Sequence, residues 1–322
     1  MNLLSISSLV AALTATADAK CAIDGSSSAL TLTSTSTLSP PSTPTSISIS
    51  TPSSTSTSTW ASESESDSSP ESASASSLWL PTAGTTWQIE LLYALNDTSI
   101  DVDVYDIDLF TNSASTISSL HSAGRKVICY FDAGALGTWE PDVSEFEVSD
   151  LGSVMNGWPD EKWLNITSPN VRIIMAKRLD LAQQKGCDGV DPDNVDAYNN
   201  GNGLGLTQDD AIDYINWMAG EAHARGLSIG LKNALAVIDS VIDNMQWSVD
   251  ELCVQYNECS KLFAFTKRNM PVFHIEYPKG SSVNNNDGVT SAQKTAACAF
   301  DTSNSFSTLI KNILLDNWRE TC

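Results

Sequence analysis

Residues 185–194 read KGCDGVDPDN, where a glycine ends a helical pattern and a short apolar strand leads into acidic residues. Glycine suits this position because the residue after a helix often adopts a left-handed backbone. The same order of helix, glycine and strand recurs around Gly124 and Gly226. About eight such strands alternating with helices predict an α/β protein with a (β/α)8 TIM-like barrel rather than a doubly wound sheet.

The predicted strands are short apolar runs, and the predicted helices are longer patterns of mixed polarity. The helix at 207–225 has the clearest start, because Asp210 lies three residues after Thr207 and completes a capping box. The strands are expected at Trp87–Leu91, Val102–Tyr105, Lys126–Phe131, Trp163–Ile166, Asp188–Val190, Leu227–Leu231, Gln246–Val249 and Val272–Glu276. The helices are expected at Ser113–Ala123, Pro169–Lys185, Thr207–Arg225, Val237–Asn244, Ser260–Arg268, Ser291–Ala299 and Ser305–Leu315.

The first 79 residues differ in composition from the rest of the chain. Residues 1–19 combine an apolar run with a small-residue cleavage pattern, which predicts a secretory signal peptide rather than a membrane span. Of the 34 residues 26–59, 28 are Ser, Thr or Pro, and such a segment buries too little apolar surface to fold. We therefore predict a disordered, O-glycosylated Ser/Thr/Pro-rich stalk at 20–79 and a single barrel domain at 80–322. An unstructured apolar start and a plain flexible linker are the alternative interpretations.

The sequence is strongly acidic, with 17 Lys and Arg against 39 Asp and Glu and a formal net charge of -22. Binding to nucleic acid is disfavoured, because phosphate contacts require clustered basic residues. Anionic membrane surfaces are disfavoured for the same reason, and we expect no membrane anchor. Because the first 79 residues hold only six of the acids, most of the charge belongs to the folded domain and favours a cationic ligand.

Seven cysteines in a secreted chain favour disulfides. Cys129 and Cys187 lie in or beside apolar strands, where we expect buried free thiols, and Cys21 is left over near the N-terminus. The sequence has no Cys-x-x-Cys motif and no paired histidines, so we expect no metal site. Two disulfides are expected from proximity along the chain, Cys253–Cys259 and Cys298–Cys322.

Polar residues follow almost every predicted strand, at the end of a barrel where active sites lie. Acidic residues at these points can also cap the next helix, but several precede no predicted helix directly. With three histidines and no phosphate-binding pattern, carboxylates are the usable reactive groups. The polar residues at strand ends are Asp106, Asp108, Asp132, Asp191–Asp196, Lys232, Asn233, Asp250, Glu251, Glu276 and Tyr277.

Paired carboxylates at the mouth of a barrel are typical of glycoside hydrolysis, where one acts as an acid and the other as a nucleophile or base. Asp193 follows the strand that ends at Val190, and Glu251 follows the strand that ends at Val249. We predict that these two residues form the catalytic pair. Retention of configuration requires ~5–5.5 Å between the carboxyl groups, whereas ~9 Å would indicate inversion.

Seven short motifs occur along the chain in the order seen in one enzyme family. They are VYDID (104–108), VICYF (127–131), GWP with EKWL (157–164), KGCDGV (185–190), PDN (192–194), GLKN (230–233) and EY (276–277). On these motifs the chain resembles the endo-α-1,4-polygalactosaminidases, glycoside hydrolase family 114, especially secreted fungal members. The resemblance runs from about Thr86 to Tyr277.

The resemblance implies a retaining endo-hydrolase of α-1,4-linked galactosamine, as in fungal galactosaminogalactan, on a TIM-like barrel without a cofactor. The family's catalytic Asp lies in a Pro-Asp-Asn motif, which matches Asp193, and its catalytic Glu shortly precedes a Cys, which matches Glu251 before Cys253. We assign Asp193 as the nucleophile and Glu251 as the general acid/base. The residues predicted to bind the substrate are Asp106, Asp108, Tyr130, Asp132, Trp163, Asp191, Asn194, Lys232, Asn233, Glu276 and Tyr277.

Several of these residues also have a structural interpretation. Asp106 and Asp108 fit a helix-capping pair as well as ligand contact. Lys232 fits an ion pair with a buried carboxylate, such as Asp193, as well as direct contact with the substrate. The aromatic residues that fit either ordinary packing or stacking on sugar faces are Tyr130, Trp139, Trp158, Trp163 and Tyr277.

The chain departs from the family pattern at six positions, while the catalytic pair is unchanged. A base is lost at position 140, and acids are gained at positions 132 and 250. These changes are expected to make the cleft more negative, which suits a more deacetylated, more cationic chain or marks an altered specificity. The residues present are Asp132, Glu140, Asn165, Asp191, Asp250 and Leu252, where the family more often has Ser, Arg, Asp, Glu, Asn and Gln.

The sequence as a whole predicts a secreted, monomeric glycoside hydrolase that cleaves a cationic amino-sugar polysaccharide outside the cell or at the cell wall. One alternative is a non-catalytic carbohydrate-binding protein of the cell wall that uses the same cleft. A second is a hydrolase of the same mechanism that acts on another α-galactoside.

Overall fold

The computed structural model of the chain describes residues 78–301 and 303–322. The predicted signal peptide at 1–19 and residues 20–77 of the predicted stalk lie outside the described residues. Contacts with the sheet begin at Trp79, whose ring packs against Trp247 with the ring centroids 5.5 Å apart. No helix within the described ranges is long and apolar enough to cross a membrane.

Twelve strands within these ranges form two sheets. In chain order the strands are β1 (Trp87–Glu90), β2 (Val104–Asp108), β3 (Lys126–Asp132), β4 (Ala135–Gly137), β5 (Leu151–Met155), β6 (Trp158–Leu164), β7 (Gly189–Asp193), β8 (Ser228–Lys232), β9 (Trp247–Glu251), β10 (Val272–Glu276), β11 (Ser307–Lys311) and β12 (Arg319–Thr321). The large sheet has the order β1-β2-β3-β7-β8-β9-β10-β11-β12. Its first eight strands are parallel, and only β12 runs antiparallel to its neighbour.

The small sheet is an antiparallel insertion between β3 and the helix that precedes β7. Its order is β4-β6-β5, and Gly137 of β4 lies directly opposite Glu161 of β6. The parallel sheet is continuous without this insertion, because β3 pairs directly with β7. The inserted strands are therefore free to shape the surroundings of the strand ends.

Helices connect most of the parallel strands and begin where side chains cap their free backbone N–H groups. The Thr207 hydroxyl accepts from Asp210 N at 3.3 Å, and the Asp210 carboxylate accepts from Thr207 N at 2.8 Å, which confirms the predicted capping box. Gly186 ends the second helix with a φ of 89°, the left-handed conformation expected from the sequence. The helices are α1 (Ala114–Ser122), α2 (Pro169–Lys185), α3 (Gln208–Ala224), α4 (Ile238–Val241), α5 (Phe263–Thr266) and α6 (Ser291–Cys298).

Apolar residues are buried on both faces of the large sheet. Inside the curled sheet, Phe273 packs against Trp87 and Trp247, with ring centroids 4.8 Å and 6.5 Å apart. A larger cluster, which includes Leu179 of α2 and Met218 of α3, fills the space between the sheet and the helices. Burial on both faces explains why the strands read as continuous apolar runs rather than as alternating patterns.

The two ends of the parallel series approach each other through side chains rather than through a strand ladder. The indole Nε1 of Trp87 in β1 donates to the carbonyl of Ser307 in β11 at 2.8 Å. Lys311 Nζ of β11 donates to the carbonyl of Ile89 in β1 at 2.8 Å, and Arg319 Nη1 of β12 donates to the carbonyl of Trp87 at 2.8 Å. The structure thus shows an α/β fold with a curled parallel sheet.

Two predicted elements are wrong. The helix expected at Ser305–Leu315 is strand β11, followed by a loop, because the run Ser307–Lys311 is too short and too fully buried for an amphipathic helix. The strand expected at Trp163–Ile166 overlaps β6, but β6 belongs to the antiparallel insertion and not to the parallel series. The parallel series still has eight strands, as predicted, because β11 adds one strand and residues 163–166 remove one.

Three disulfides join described cysteines. Both bridges expected from proximity are present, Cys253–Cys259 and Cys298–Cys322. The expectation of free thiols at Cys129 and Cys187 is wrong, since they form a third disulfide with Cα atoms 6.0 Å apart. The pairing of β3 with β7 explains this bridge, because it brings the segment before β7 alongside Cys129. The remaining Cys21 lies outside the described residues.

Candidate active site

The carboxyl ends of the parallel strands surround a cavity of about 620 Å³. Asp193, Lys232 and Glu251 are the last residues of the neighbouring strands β7, β8 and β9, so the sheet itself brings them together. All three line the cavity. Their convergence follows from the parallel topology, in which successive strands end at the same edge.

A single buried cation joins the two predicted catalytic carboxylates. Lys232 Nζ lies 3.0 Å from Asp193 Oδ2 and 3.1 Å from Glu251 Oε2, and the lysine side chain is only 2% exposed. Burial alone would lower the pKa of Lys232, but the charges of Asp193 and Glu251 outweigh it and raise the pKa well above its ordinary value. The lysine therefore stays protonated and compensates the negative charge of the pair.

Further donors fix the orientation of the Asp193 carboxylate. The Tyr130 hydroxyl donates to Asp193 Oδ2 at 2.8 Å, and the backbone N–H of Asn194 donates to Asp193 Oδ1 at 2.7 Å. Burial and the charge of Asp193 raise the pKa of Tyr130 well above its ordinary value, which keeps the phenol a donor. Both oxygens of Asp193 are thus hydrogen-bonded before any substrate arrives.

Glu251 has an equivalent set of donors on the other side of the lysine. The Tyr277 hydroxyl donates to Glu251 Oε1, and Asn233 Nδ2 donates to Glu251 Oε2 at 3.2 Å. Asn233 also accepts from the backbone N–H of Glu251 at 3.0 Å, which ties the ends of β8 and β9 together. Burial and the charge of Glu251 raise the pKa of Tyr277 well above its ordinary value.

Left-handed backbone conformations follow the functional residue at the end of each of these strands. Asn194 has a φ of 59°, Asn233 a φ of 50° and Leu252 a φ of 67°. Such conformations are uncommon for residues other than glycine, and strain of this kind collects at functional sites. The turns lead the chain away from the cavity immediately after the side chain that faces it.

A second pair of carboxyl groups lies beneath the catalytic pair, inside the sheet. Asp106 and Asp191 are both fully buried. Burial raises the pKa of Asp106 well above its ordinary value, and the nearby Asp191 raises it further. Burial also raises the pKa of Asp191 to about 7. These groups are thus stabilised in the protonated form under the charged pair above them.

The structure separates the predicted site residues into two sets. Asp106, Trp163, Asp191 and Glu276 are buried and do not line the cavity. Glu276 Oε1 accepts from Val254 N at 2.9 Å and lies 3.0 Å from His274 Nε2. The predicted residues that line the cavity are Asp108, Tyr130, Asp132, Asp193, Asn194, Lys232, Asn233, Glu251 and Tyr277.

One wall of the cavity comes from the insertion, and the sequence indicated part of it through Trp139, Glu140 and Trp158. Glu161 was not singled out, although its place two residues before the apolar Trp163 puts both side chains on the same face of β6. The loop after β11 adds an apolar rim to the cavity. The sequence did not indicate this rim, because a helix was predicted at Ser305–Leu315. The lining residues from these two segments are Trp139, Glu140, Pro141, Met155, Trp158, Glu161, Ile313, Leu314 and Leu315.

Two of the positions that depart from the family pattern add acids to this cavity. Asp132 and Glu140 line it, and Glu140 forms an ion pair with the buried Arg178. Burial and the charge of Asp193 raise the pKa of Asp132 to about 6. The acid at position 250 does not act as expected, because Asp250 is 1% exposed and does not line the cavity. Of the three departures expected to make the cleft more negative, those at positions 132 and 140 therefore reach the cavity and the one at position 250 does not.

One group with metal-ligand proximity occurs in the part of the chain that the structure describes. It consists of Cys253, Cys259 and His274. The two cysteines form a disulfide, so their sulfur atoms are not available as thiolate ligands.

Two carboxylates that face one cavity at the carboxyl edge of a curled parallel sheet define a site of the glycoside hydrolase class. Residues 68–322 match the model of glycoside-hydrolase family GH114, and the chain belongs to this family. The sequence had indicated the same family from its motifs, and that identification is confirmed. A search of curated proteins found no match.

Two solved structures place the fold in context. The chain is similar to the crystal structure of Aspergillus fumigatus Ega3 in complex with galactosamine, with 61% sequence identity and a TM-score of 0.76. That match covers 77% of this chain and 98% of the Ega3 chain. The glycoside hydrolase domain of PelA from Pseudomonas aeruginosa is 13% identical with a TM-score of 0.56, over 73% of this chain and 98% of the other. At that identity the second match shows a shared fold alone.

Proposed function

We propose that this glycoside hydrolase cleaves α-1,4-linked galactosamine polymers internally and with retention of configuration. One observation carries the mechanism. Because Lys232 Nζ lies 3.0 Å from an oxygen of Asp193 and 3.1 Å from an oxygen of Glu251, these two oxygens are at most about 6 Å apart. A spacing of ~5–5.5 Å between carboxyl groups suits a retaining enzyme, whereas an inverting enzyme needs ~6.5–9.5 Å to admit a water.

In the first step Asp193 attacks the anomeric carbon while Glu251 donates its proton to the departing glycosidic oxygen. The bond from the anomeric carbon to that oxygen breaks, and an ester to Asp193 forms. In the second step Glu251 takes a proton from water, and the water oxygen displaces Asp193 from the anomeric carbon. This sequence returns both carboxyl groups to their starting states.

Lys232 can serve both steps without moving. In the first step the lysine ammonium lies beside the Asp193 carboxylate that attacks. Formation of the ester removes the charge of Asp193, so that the same ammonium then stabilises the ionised Glu251 that must act as a base. Tyr130 and Tyr277 keep the two carboxylates in place during this exchange.

The substrate assignment rests on charge and on similarity. The described residues that line the cavity include more acidic than basic side chains, and Lys232, the one basic residue among them, is already paired with two carboxylates. A sugar chain with free amines is cationic and complements such a surface. The similar Ega3 structure contains galactosamine, the amino sugar that this assignment requires.

The remaining parts of the proposal concern architecture and location. We infer that the side-chain bridges between β1 and the β11–β12 pair close the sheet as a (β/α)8-like barrel. We also retain the signal peptide at 1–19, the O-glycosylated stalk at 20–79 and the catalytic domain at 80–322 as parts of a secreted, monomeric enzyme at or near the cell wall.

The test compares the enzyme with the variants Asp193→Asn and Glu251→Gln on deacetylated and N-acetylated polymers. Each variant should release no oligosaccharide from the deacetylated polymer while keeping the thermal transition of the parent, and Asp160→Asn, an exposed acid on β6, should remain active. Proton NMR of the first products should show the α-anomer. Full activity in both variants, or β-anomeric products, would overturn the proposal.

Small nucleophiles can assign the two roles. With an activated substrate, azide should rescue Asp193→Gly with inverted product and Glu251→Ala with retained product, because only the first variant lacks the covalent step. The opposite pattern would exchange the roles of the two residues and leave the pair itself intact.

A further inference from the structure

We propose that the insertion carries a sugar-binding subsite, in which Trp139, in the turn after β4, stacks on one amino sugar and Glu161 of β6 binds its ammonium group. This subsite lies on the insertion wall of the cavity, whereas the catalytic carboxylates come from the ends of the parallel strands. The ligand class, a chain of galactosamine units, rests on the proposed function.

The strand register places an aromatic face and a carboxylate side by side. Gly137 and Glu161 are directly opposite each other in the β4–β6 pair, and opposed residues point to the same face of a sheet. A Cβ on Gly137 would lie 2.6 Å from the Trp139 ring, so the indole occupies the space that a side chain at position 137 would need. The ring therefore lies on the face to which Glu161 points.

Glu161 is a buried carboxylate that the protein leaves unpaired. It is 8% exposed, lines the cavity, and forms no hydrogen bond or ion pair through its side chain with any described residue. Buried carboxylates are normally paired, because an uncompensated buried charge is costly. A partner supplied by the ligand explains why an acid is found at an inward position of β6.

The surroundings of Glu161 favour a cation from outside. The charged groups that act on it are Asp132 of β3, Asp193 of β7, Glu140 and Asp160, and all of them are acidic. Two basic groups contact this set, and both are occupied. Lys232 is paired with Asp193 and Glu251. Arg178 is paired with Glu140 and Asp142 and donates to the carbonyl of Asp132. An ammonium group entering beside Glu161 would therefore meet acids without having to displace a protein cation.

Trp139 supplies the other half of an amino-sugar site. Its side chain is among the large apolar groups that remain exposed, at 65%, although it lines the cavity. Aromatic rings at such positions pack against the apolar C–H face of a pyranose. Together the ring and the carboxylate match the apolar face and the amine of one galactosamine unit.

Proton release on ligand binding can test the role of Glu161, because a purely structural residue would not change its protonation when the ligand binds. Burial, together with the charges of Asp132, Asp193 and Glu140, raises the pKa of Glu161 to about 9. The carboxyl group is therefore protonated at pH 7 before the ligand binds. An ammonium ion at hydrogen-bonding distance favours the ionised form, so binding should release a proton.

The experiment measures binding of α-1,4-linked galactosamine oligomers by calorimetry to the full chain carrying Asp193→Asn. Adding Glu161→Gln or Trp139→Ala to this parent should weaken binding of the longer oligomers by about tenfold or more, as loss of a charged hydrogen bond or an aromatic contact does. Titrations at pH 7 in phosphate and in Tris should show proton release by the parent and its loss with Glu161→Gln.

Matched controls separate this site from general effects. Asp209→Asn removes an exposed acid outside the cavity, and Tyr93→Ala removes an exposed aromatic outside the cavity, and both should keep the parent affinity. N-acetylated oligomers, which lack the ammonium, should bind equally to the parent and to Glu161→Gln. Circular dichroism and melting curves check that each variant is folded.

The outcomes distinguish this proposal from the proposed function. If the parent binds the oligomers and neither Glu161→Gln nor Trp139→Ala weakens binding, the subsite is wrong and the enzyme assignment stands. If the parent binds no galactosamine oligomer and the unmodified enzyme does not cleave the polymer, both are wrong. Unchanged proton release in Glu161→Gln would also overturn the role given to this carboxylate.

Discussion

The catalytic pair, Asp193 and Glu251, and the single acid Glu161 face the same cavity, but the protein compensates only the charge of the pair. Asp193 and Glu251 share the ammonium of Lys232, and the hydroxyls of Tyr130 and Tyr277 donate to them. On the insertion wall, Glu161 has no such partner among the described residues. Both groups are largely buried, so the difference lies in compensation and not in exposure.

The difference shows how one cavity can separate chemistry from binding. Groups that react must be held in place before the substrate arrives, and the sheet holds them because β7, β8 and β9 end together. A group that recognises a cation is more useful when its own partner is missing, because the ligand then supplies it. The parallel sheet provides the first arrangement, and Glu161 of the antiparallel insertion provides the second.

The strongest way to break this contrast is to remove the shared cation. Lys232→Met should lower kcat by about 10²–10³-fold, because Asp193 in the first step and Glu251 in the second would each lose their charge partner. The variant should also be less stable by about 3–5 kcal/mol at neutral pH, the usual cost of leaving buried charges unpaired. Steady-state kinetics and chemical denaturation measure the two effects.

Lys162→Met is the matched control, since Lys162 is an exposed lysine on β6. It should change neither quantity appreciably. If Lys232→Met kept full kcat, the lysine would be a structural partner only, and the charge exchange between the two steps would be wrong.

A second test concerns the contribution of Glu161 to the pH dependence of the free energy of unfolding. Glu161 has a pKa raised from its ordinary 4.5 to about 9, so between these values the unfolded chain binds fewer protons there than the folded protein does. Stability must therefore fall as pH rises through this window. Asp132, with a pKa of about 6, adds to the loss at the lower end.

Glu161→Gln should make this decline shallower, because glutamine does not titrate. The difference between variant and parent should grow by about 2–4 kcal/mol from pH 5 to pH 8. Melting curves over this range detect it as about 2–4 °C for each kcal/mol. Parallel curves for the two proteins would mean that Glu161 is paired in solution.

Much of the catalytic region was accessible from the sequence, because it depends on local features. The residues Asp193, Lys232 and Glu251 each follow a short apolar strand, and the motifs around them are ordered as in the family. Once the strands are parallel and sequential, their ends must meet. The structure adds the geometry that no spacing gives, namely that one ammonium touches both carboxylates.

The insertion was less accessible because its strands obey a different pairing rule. Residues 163–166 look like another buried parallel strand, since a short apolar run does not reveal its partners. Glu161 becomes part of the cavity only through the antiparallel register that sets it opposite Gly137. The same limit explains β11, whose five residues are compatible with a helix until burial on both faces is known.

The smallest expected effect on activity is that of a substitution at Asp250, an acid that does not line the cavity, in contrast to Asp132, which does. Asp250 precedes Glu251 in β9, so its side chain points to the opposite face of the strand, and it is 1% exposed. Burial raises the pKa of Asp250 well above its ordinary value, and the charges of Glu258 and Glu251 raise it further, which favours the uncharged form. Asp250→Asn should therefore leave kcat/KM within about twofold of the parent on deacetylated polymer.

Asp132→Asn is the informative counterpart, because Asp132 lines the cavity and its pKa of about 6 leaves it largely ionised at pH 7. This variant should raise KM for the deacetylated polymer more than for the N-acetylated one, and added salt should reduce the difference. A loss of more than about tenfold in kcat/KM with Asp250→Asn alone would mean that charge at position 250 reaches the substrate. The conclusion that only the Glu251 face of β9 acts on the substrate would then be wrong.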